Sequence, residues 1–269
     1  MNTYSISNVS KILGLSNEII RHYEREGIIH PVRGENGYRY FSEKDVAILT
    51  GIRIYRGMDF PLKEIKDILT VASYENFHDR LQIRKEAMQK ELLWKQLVID
   101  SIANLQDEVQ RIHESTNLFT FKDCPSVYRL PSRYTKLFYD PEVHTKPNDR
   151  WYQYMPVVRI SPEFTLEAIR NDLPEYKFGL ILPCEYIDTL ELNDTQGAEI
   201  IPRQSCLSMI IHSQNNERIH PSMLRKGLDY IDEHGYKPIA DPWGITIGAF
   251  TEQQVQRKFH EIYIPIDRT

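Results

Sequence analysis

Apolar residues near the start of the chain recur at Ile6, Val9, Ile12 and Leu13, the three-and-four spacing of one helix face. Gly14-Leu15-Ser16 interrupts them, and Ser16 suits the N-cap of a second helix over Asn17 to Glu26. This order predicts a helix-turn-helix unit, whose second helix turns Asn17, Arg21, His22 and Arg25 toward base edges and phosphates. Beyond Pro31 the residues alternate around Asn36-Gly37 with aromatic and basic side chains, which predicts a β-hairpin wing carrying Tyr38 and Arg39 to a phosphate backbone. A further helical pair flanks Gly57 to Ile65, with Pro61 placed for a helix first turn.

From Glu75 to Asn117 there is neither Gly nor Pro, and the segment reads as one long helix. Trp94, Val98, Ile102, Leu105, Val109 and Ile112 step by four and three onto one stripe. About 40 residues span roughly 60 Å, too long for one small domain to cover. An antiparallel coiled coil in a homodimer is the expected answer, and a core helix packed on the C-terminal part is the alternative.

The remainder alternates strand-like and helix-like stretches. Val127 to Leu130, Tyr134 to Tyr139, Phe178 to Leu182 and Cys206 to His212 read as strands. Asp149 to Ile160 and Glu217 to Glu233 read as helices, the second stopped by Gly235. Trp243 to Phe250 and Phe259 to Ile266 read as a closing hairpin. The fold class is α+β: an N-terminal winged helix-turn-helix, a long dimerisation helix, and a C-terminal domain in which a βαββ order recurs, as in an internal duplication. The expected boundaries are 1–72, 73–118 and 119–269. Pro125, Pro131, Pro141 and Pro147 punctuate the start of the third part.

Charge does not carry the nucleic-acid reading. The 269 residues sum to −5, and residues 1–70 hold 10 Lys and Arg against 9 Asp and Glu, so a basic face must come from placement. No stretch resembles a signal peptide or approaches a membrane span, so a cytoplasmic protein without membrane contact is expected. Cys124, Cys184 and Cys206 are isolated and odd in number, which argues against a disulfide framework.

Arg21-His22-Tyr23, Gly37-Tyr38-Arg39-Tyr40-Phe41 and the Gly57 to Leu62 helix start together resemble the head of MerR-family transcription regulators over residues 4 to about 67. His22 stands where the family usually has an aromatic residue. The resemblance implies a dimer on a pseudo-palindromic promoter operator, with RNA polymerase as the further partner. Such regulators kink and untwist an overlong promoter spacer when effector binds, a form of indirect readout. Implied DNA contacts are Ser5, Asn17, Arg21, His22, Tyr23, Arg25, Tyr38, Arg39, Tyr40, Arg56 and Lys63.

Phe178-Gly179, Asp241-x-Trp243 and Glu261 to Ile266 are similar to the GyrI-like effector-binding domain. Its pairing with this head implies a multidrug-type regulator sensing bulky, hydrophobic, aromatic and often cationic compounds. Aromatic faces suit such ligands, and the candidate ligand residues are Trp151, Tyr152, Tyr154, Phe178, Leu180, Tyr186, Trp243 and Phe250, with Glu185 and Glu261 as counter-charges. Relatives place a glutamate one residue past the strand aromatic, where this chain has Gly244, so space is expected beside Trp243.

Two other classes stay open. Cys124, just past the long helix, is the candidate for a metal or redox sensor, although one thiol falls short of the two or three sulfurs a soft metal wants and no metal ligands are assigned. A GyrI-like hydrolase or a sequestering protein is the other, but no nucleophile, base and orienting residue recur together, so no catalytic residues, enzyme activity or cofactor are expected. Affinity for specific DNA should fall steeply between low and physiological salt as phosphate contacts release counterions. A flat salt titration in a gel-shift assay contradicts the nucleic-acid reading.

Overall fold

Serine side chains start three helices of the N-terminal unit. In the computed structural model, which describes residues 3–114, 119–131, 150–193, 195–214, 218–252 and 254–267, the chain divides into two units, Met1–Trp94 and Lys95–Thr269. The first unit runs β1 (Thr3–Ser5), α1 (Ile6–Leu13), α2 (Asn17–Arg25), β2 (Val32–Arg33), β3 (Arg39–Ser42), α3 (Glu43–Gly57) and α4 (Leu62–Thr70), and then enters α5 (Tyr74–Glu114). Ser5 Oγ accepts from Asn8 N and Ser16 Oγ from Ile19 N, each at 3.2 Å, satisfying amides that a helix start leaves unpaired. Gly14 sits between α1 and α2 at φ 62°, a left-handed conformation that costs other residues more. The strands form a small antiparallel sheet in the order β1-β3-β2, the last pair being the expected wing.

Val9, Ile20, Ile29, Phe41, Leu49 and Ile65 are fully buried and make one core from every element of this head except β2 and β1. One acid stitches it together. The buried Asp45 carboxylate accepts from Ser42 N at 2.8 Å and Ser42 Oγ at 2.7 Å, and from His30 N at 3.1 Å. The capping box of α3 thereby anchors the segment that follows α2.

The second unit contains the end of α5, β4 (Thr120–Cys124), β5 (Val127–Pro131), β6 (Arg159–Glu163), α6 (Leu166–Asn171), β7 (Lys177–Pro183), β8 (Glu199–Ile201), β9 (Gln204–Gln214), α7 (Arg225–Glu233), β10 (Lys237–Pro238), β11 (Trp243–Glu252) and β12 (Val255–Asp267). The main sheet is antiparallel in the order β4-β9-β12-β11-β6-β7-β5-β8, with β10 added on β12. Two halves of this order meet where Trp243 pairs with Glu163. Helices α6 and α7 and the residues leading into them cover one face through Phe164, Ile169, Leu224, Leu228 and Ile231, packed on Leu207, Ile262 and Ile264. The architecture is α+β, as the order of elements implied.

Two helical expectations were wrong. Among the described residues of Asp149 to Ile160 only 150–152 are helical, and Arg159–Glu163 is a strand instead. Pro156 lacks the amide that a helix interior needs, and Val157 and Val158 are β-branched. Of Glu217 to Glu233, only Arg225–Glu233 is α-helix, after a 3₁₀ turn over Pro221–Leu224 that begins at proline. The strand expected at Tyr134 to Tyr139 lies outside the described residues.

Helix α5 is continuous over 41 residues. Its second half turns Leu97, Ser101, Asn104, Glu108 and Arg111 toward the sheet face opposite α6 and α7, the spacing of one helical row. Charge holds it there. Both guanidinium nitrogens of Arg159 donate to Glu108, Nη2 at 2.8 Å from Oε2, and Nη2 also donates to Thr246 O at 2.9 Å. Arg111 Nη2 donates to Glu261 Oε2 at 2.9 Å, while Lys122 and Ser208 donate to Glu261 Oε1. Of the stripe chosen for dimerisation, Ile102 is 52% exposed, Leu105 38% and Val109 39%, Trp94, Val98 and Ile112 are half-buried, and Leu105 also borders the cavity.

Burial opposes ionisation of Glu261, but Lys122, Ser208 and Arg111 outweigh it and hold the carboxyl below its ordinary range. A carboxyl whose folded pKa lies below the unfolded value of about 4.3 stabilises the fold above that value and loses its contribution as pH falls through the folded pKa. Melting temperature should therefore drop more steeply from about pH 5 to about pH 3 in the native protein than in Glu261→Gln. Parallel curves exclude a linked Glu261 titration.

Candidate functional site

On the first unit, the burial of Ile20 and Tyr23 fixes which face of α2 looks outward. Asn17, Arg21 and Arg25 are exposed on that face, and His22 is half-buried with Nδ1 3.9 Å from Glu26 Oε1. Tyr23, expected to contact DNA, is only 8% exposed and belongs to the core. On the wing, Tyr38 is 71% exposed, and Tyr40 is half-buried with its hydroxyl accepting from Asn36 Nδ2 at 2.8 Å. Arg39 Nε donates to Glu24 Oε2 at 2.6 Å, which ties the wing to α2 and fixes the guanidinium between them. Ser5 caps α1, Arg56 Nη1 donates to Phe60 O at 3.1 Å, and Lys63 is exposed. The exposed set is thus cationic and aromatic while Glu24 is engaged, the arrangement phosphate contact requires.

In the second unit a cavity of about 470 Å³ lies between the α5 row and the sheet. Such a volume suits a drug-sized molecule. Its apolar wall comes from Val127, Val157, Ile181, Ile245 and Ile247, its aromatic wall from Tyr186, Trp243 and Tyr263, and its charged wall from Glu108, Arg111 and Arg159. Trp243 and Tyr263 pair across β11 and β12 with ring centroids 4.8 Å apart. The Trp243 indole N–H is buried and finds no acceptor among the described residues. Burial raises the Tyr186 phenol, with Glu185 and Asp100 acting in the same direction, so it remains a neutral donor at the cavity edge.

Of the ligand residues expected from sequence, the structure places Trp243 and Tyr186 on the wall, with Glu261 one contact behind Arg111 and Tyr263. The others lie elsewhere. Trp151 is fully buried and donates from Nε1 to Thr195 Oγ1 at 2.9 Å, an interior residue rather than a wall. Tyr152 and Tyr154 do not border the cavity, and Leu180 alternates with Ile181 onto the other sheet face. Phe178 packs beside Tyr176 with Lys258 Nζ 5.7 Å from its centroid, and Phe250 is 37% exposed against Phe259. Glu185 sits behind Tyr186.

Sequence reading assigned no role to Glu108, Arg111 or Arg159, whose partners lie 51 and 150 residues away in the chain. It also misjudged Gly244. A Cβ there would lie 2.4 Å from Glu261 O and 2.5 Å from Ile262 Cδ1, so strand packing excludes any side chain and no space opens beside Trp243. Position 244 pairs with Ile262, which packs on the helical side of the sheet, so an acid there would point away from the cavity.

Cys124 and Cys206 are both buried on the adjacent strands β4 and β9, each thiol directed to Gln204 O, at 3.3 and 3.5 Å. The adjacent Cys206 lowers the Cys124 thiol below its ordinary range, and the same interaction, with burial, raises Cys206. Among the described residues no three His, Cys, Asp or Glu side chains gather as a metal site, and no helix is long and apolar enough to cross a membrane.

Residues 4–71 match the model of the MerR HTH family regulatory proteins. An uncharacterized HTH-type transcriptional regulator of Synechocystis is 42% identical over 73 residues, 27% of this chain, and the chain spans only about half, 53%, of that relative. Heavy metal-dependent transcription regulator 2 of Rhizobium meliloti is 30% identical over 113 residues, covering 42% of this chain and 69% of the relative. Among solved structures, the EcmrR-DNA complex in EcmrR-RPo covers 99% of this chain and 100% of its own at 15% identity, with a TM-score of 0.36, too low to argue from. The exposed basic face on α2, the wing tied to it by Arg39, and a relative matched through the head and onward agree: the chain belongs to the MerR family of DNA-binding helix-turn-helix transcription regulators.

Proposed function

We propose that this regulator is a homodimer whose DNA affinity or operator distortion is set by a hydrophobic aromatic molecule bound in the cavity of a GyrI-like second domain. The observation that carries the reading is the cavity's roof. The row Leu97 to Arg111 that closes it belongs to α5, the helix that begins in the DNA-binding unit. A ligand that alters how Glu108 and Arg111 meet the sheet therefore acts on the element expected to join two subunits. Linkage then requires operator DNA and ligand to favour the same state by equal factors.

On DNA, Asn17, Arg21, His22 and Arg25 are proposed for the groove and Tyr38, Arg39 and Tyr40 for the flanking backbone, with Ser5, Arg56 and Lys63 at its margins and Tyr23 supporting α2 from the core. The further partner is RNA polymerase at the distorted promoter, and the site of action is the cytoplasm. Among the described residues the cavity presents no nucleophile beside a base, which favours binding over hydrolysis.

Arg39→Ala removes both a phosphate donor and the tie to Glu24, and should weaken specific operator binding by roughly 1–3 kcal/mol in a gel-shift titration. Unchanged affinity removes the wing from the interface. The exposed stripe of α5 predicts that Ile102→Glu with Val109→Glu yields monomers in sedimentation velocity and abolishes operator binding. A variant that stays dimeric assigns the interface elsewhere.

A further inference from the structure

The buried charges around the cavity are already matched, and this bears on what can enter it. Among the described residues of the second unit, Glu108 and Glu261 are the buried carboxylates. Glu108 takes two guanidinium nitrogens of Arg159, and Glu261 takes Arg111, Lys122 and Ser208. Three cations therefore serve two buried acids. Among the described residues the remaining acids on the wall are Asp107, which is exposed, and Asp100, which is half-buried and accepts from Gln96 Nε2 at 2.9 Å, so water screens both.

The aromatic wall is engaged as well. Lys122, which does not line the cavity, stands with Nζ 5.0 Å from the centroid of the Tyr263 ring and so already supplies a cation to that ring. A cation in the cavity would need to displace Lys122 or Arg111, or lie desolvated beside them without an acid of its own. The Trp243 N–H, 2% exposed and unpartnered on the wall, asks for an acceptor instead.

We propose that the cavity takes an uncharged, planar aromatic compound bearing a hydrogen-bond acceptor, and that Lys122 and Arg111 turn lipophilic cations away. This rests on the cavity being the effector site. Lys122 is then a specificity-determining residue: from behind the wall it already supplies the cation to the Tyr263 ring and to Glu261. The Trp243 indole pairs with the acceptor, and Val127, Ile181 and Ile245 take the flat faces.

The test is calorimetric titration of the full-length protein with N-methylacridone, which is neutral and carries a carbonyl, the N-methylacridinium cation on the same skeleton, and the 9-anthroate anion. N-methylacridone should bind at least about tenfold more tightly than the cation. Lys122→Met should shrink that ratio by at least about threefold through tighter cation binding, whereas Lys122→Arg should keep it. Trp243→Phe should weaken N-methylacridone alone among the three, by about threefold or more. A cation bound as tightly as N-methylacridone by the native protein overturns the charge inference and leaves the cavity reading standing. So does tightest binding of 9-anthroate, which would show the surplus cation recruiting an anion. A ratio that Lys122→Met, folded by its melting curve, leaves unchanged overturns the role of Lys122. Failure of all three compounds to bind overturns the cavity reading and this inference with it.

Discussion

Two carboxylates buried under a helix govern the second unit. Removing a charge from water is costly, and a buried carboxylate is tolerated only where cations and donors surround it. Glu108 comes from the helix and finds its partner on the sheet, while Glu261 comes from the sheet and finds one of its partners on the helix. The two exchanges run in opposite directions across the same gap, so α5 can neither slide nor roll without stranding one of them. The cavity is the space left between these two points of attachment.

The head depends on the same chemistry at smaller scale. Asp45 is buried because it caps α3 and receives the amide of His30, and its acceptors are filled locally, with no cation required. Local caps and a short-range core make this unit readable from sequence. Ser5, Ser16 and Ser42 mark helix starts, Gly14 marks the turn, and the apolar spacing of Val9, Leu13, Ile20 and Ile65 marks the core. Tyr23 was the exception, since an aromatic flanked by Arg21 and Arg25 looks functional in sequence while its position opposite them turns it inward.

The second unit was legible as strands and illegible as a site. Apolar runs such as Phe178 to Leu182 and Ile262 to Ile266 show themselves without reference to neighbours. Pro156 cut one expected helix short, and Pro221 delayed the start of another, where periodicity alone continued them. The cavity depends on partners far apart in the chain, 51 residues between Glu108 and Arg159 and 150 between Arg111 and Glu261, and no local pattern announces such pairs. Aromatic density misled for a related reason. Trp151 is large and conspicuous, but its indole is satisfied by Thr195 in the interior, whereas Tyr263 reaches the cavity only because β12 pairs Tyr263 with Trp243.

The register of α5 carries a consequence for how this chain can vary in length. Successive residues on a helix differ by about 100° in direction, so the polar row under the roof and the apolar stripe beside it are one residue apart. Deleting a single residue between Ser101 and Asn104 would bring Val109 and Ile112 to where Glu108 and Arg111 now meet the sheet. Arg159 and Glu261 would then face hydrocarbon. A change of seven residues turns the helix by only about 20° and would preserve both faces. Length variation in this helix is therefore quantised: steps of whole heptads are compatible with the fold, and single-residue steps exchange its inside for its outside.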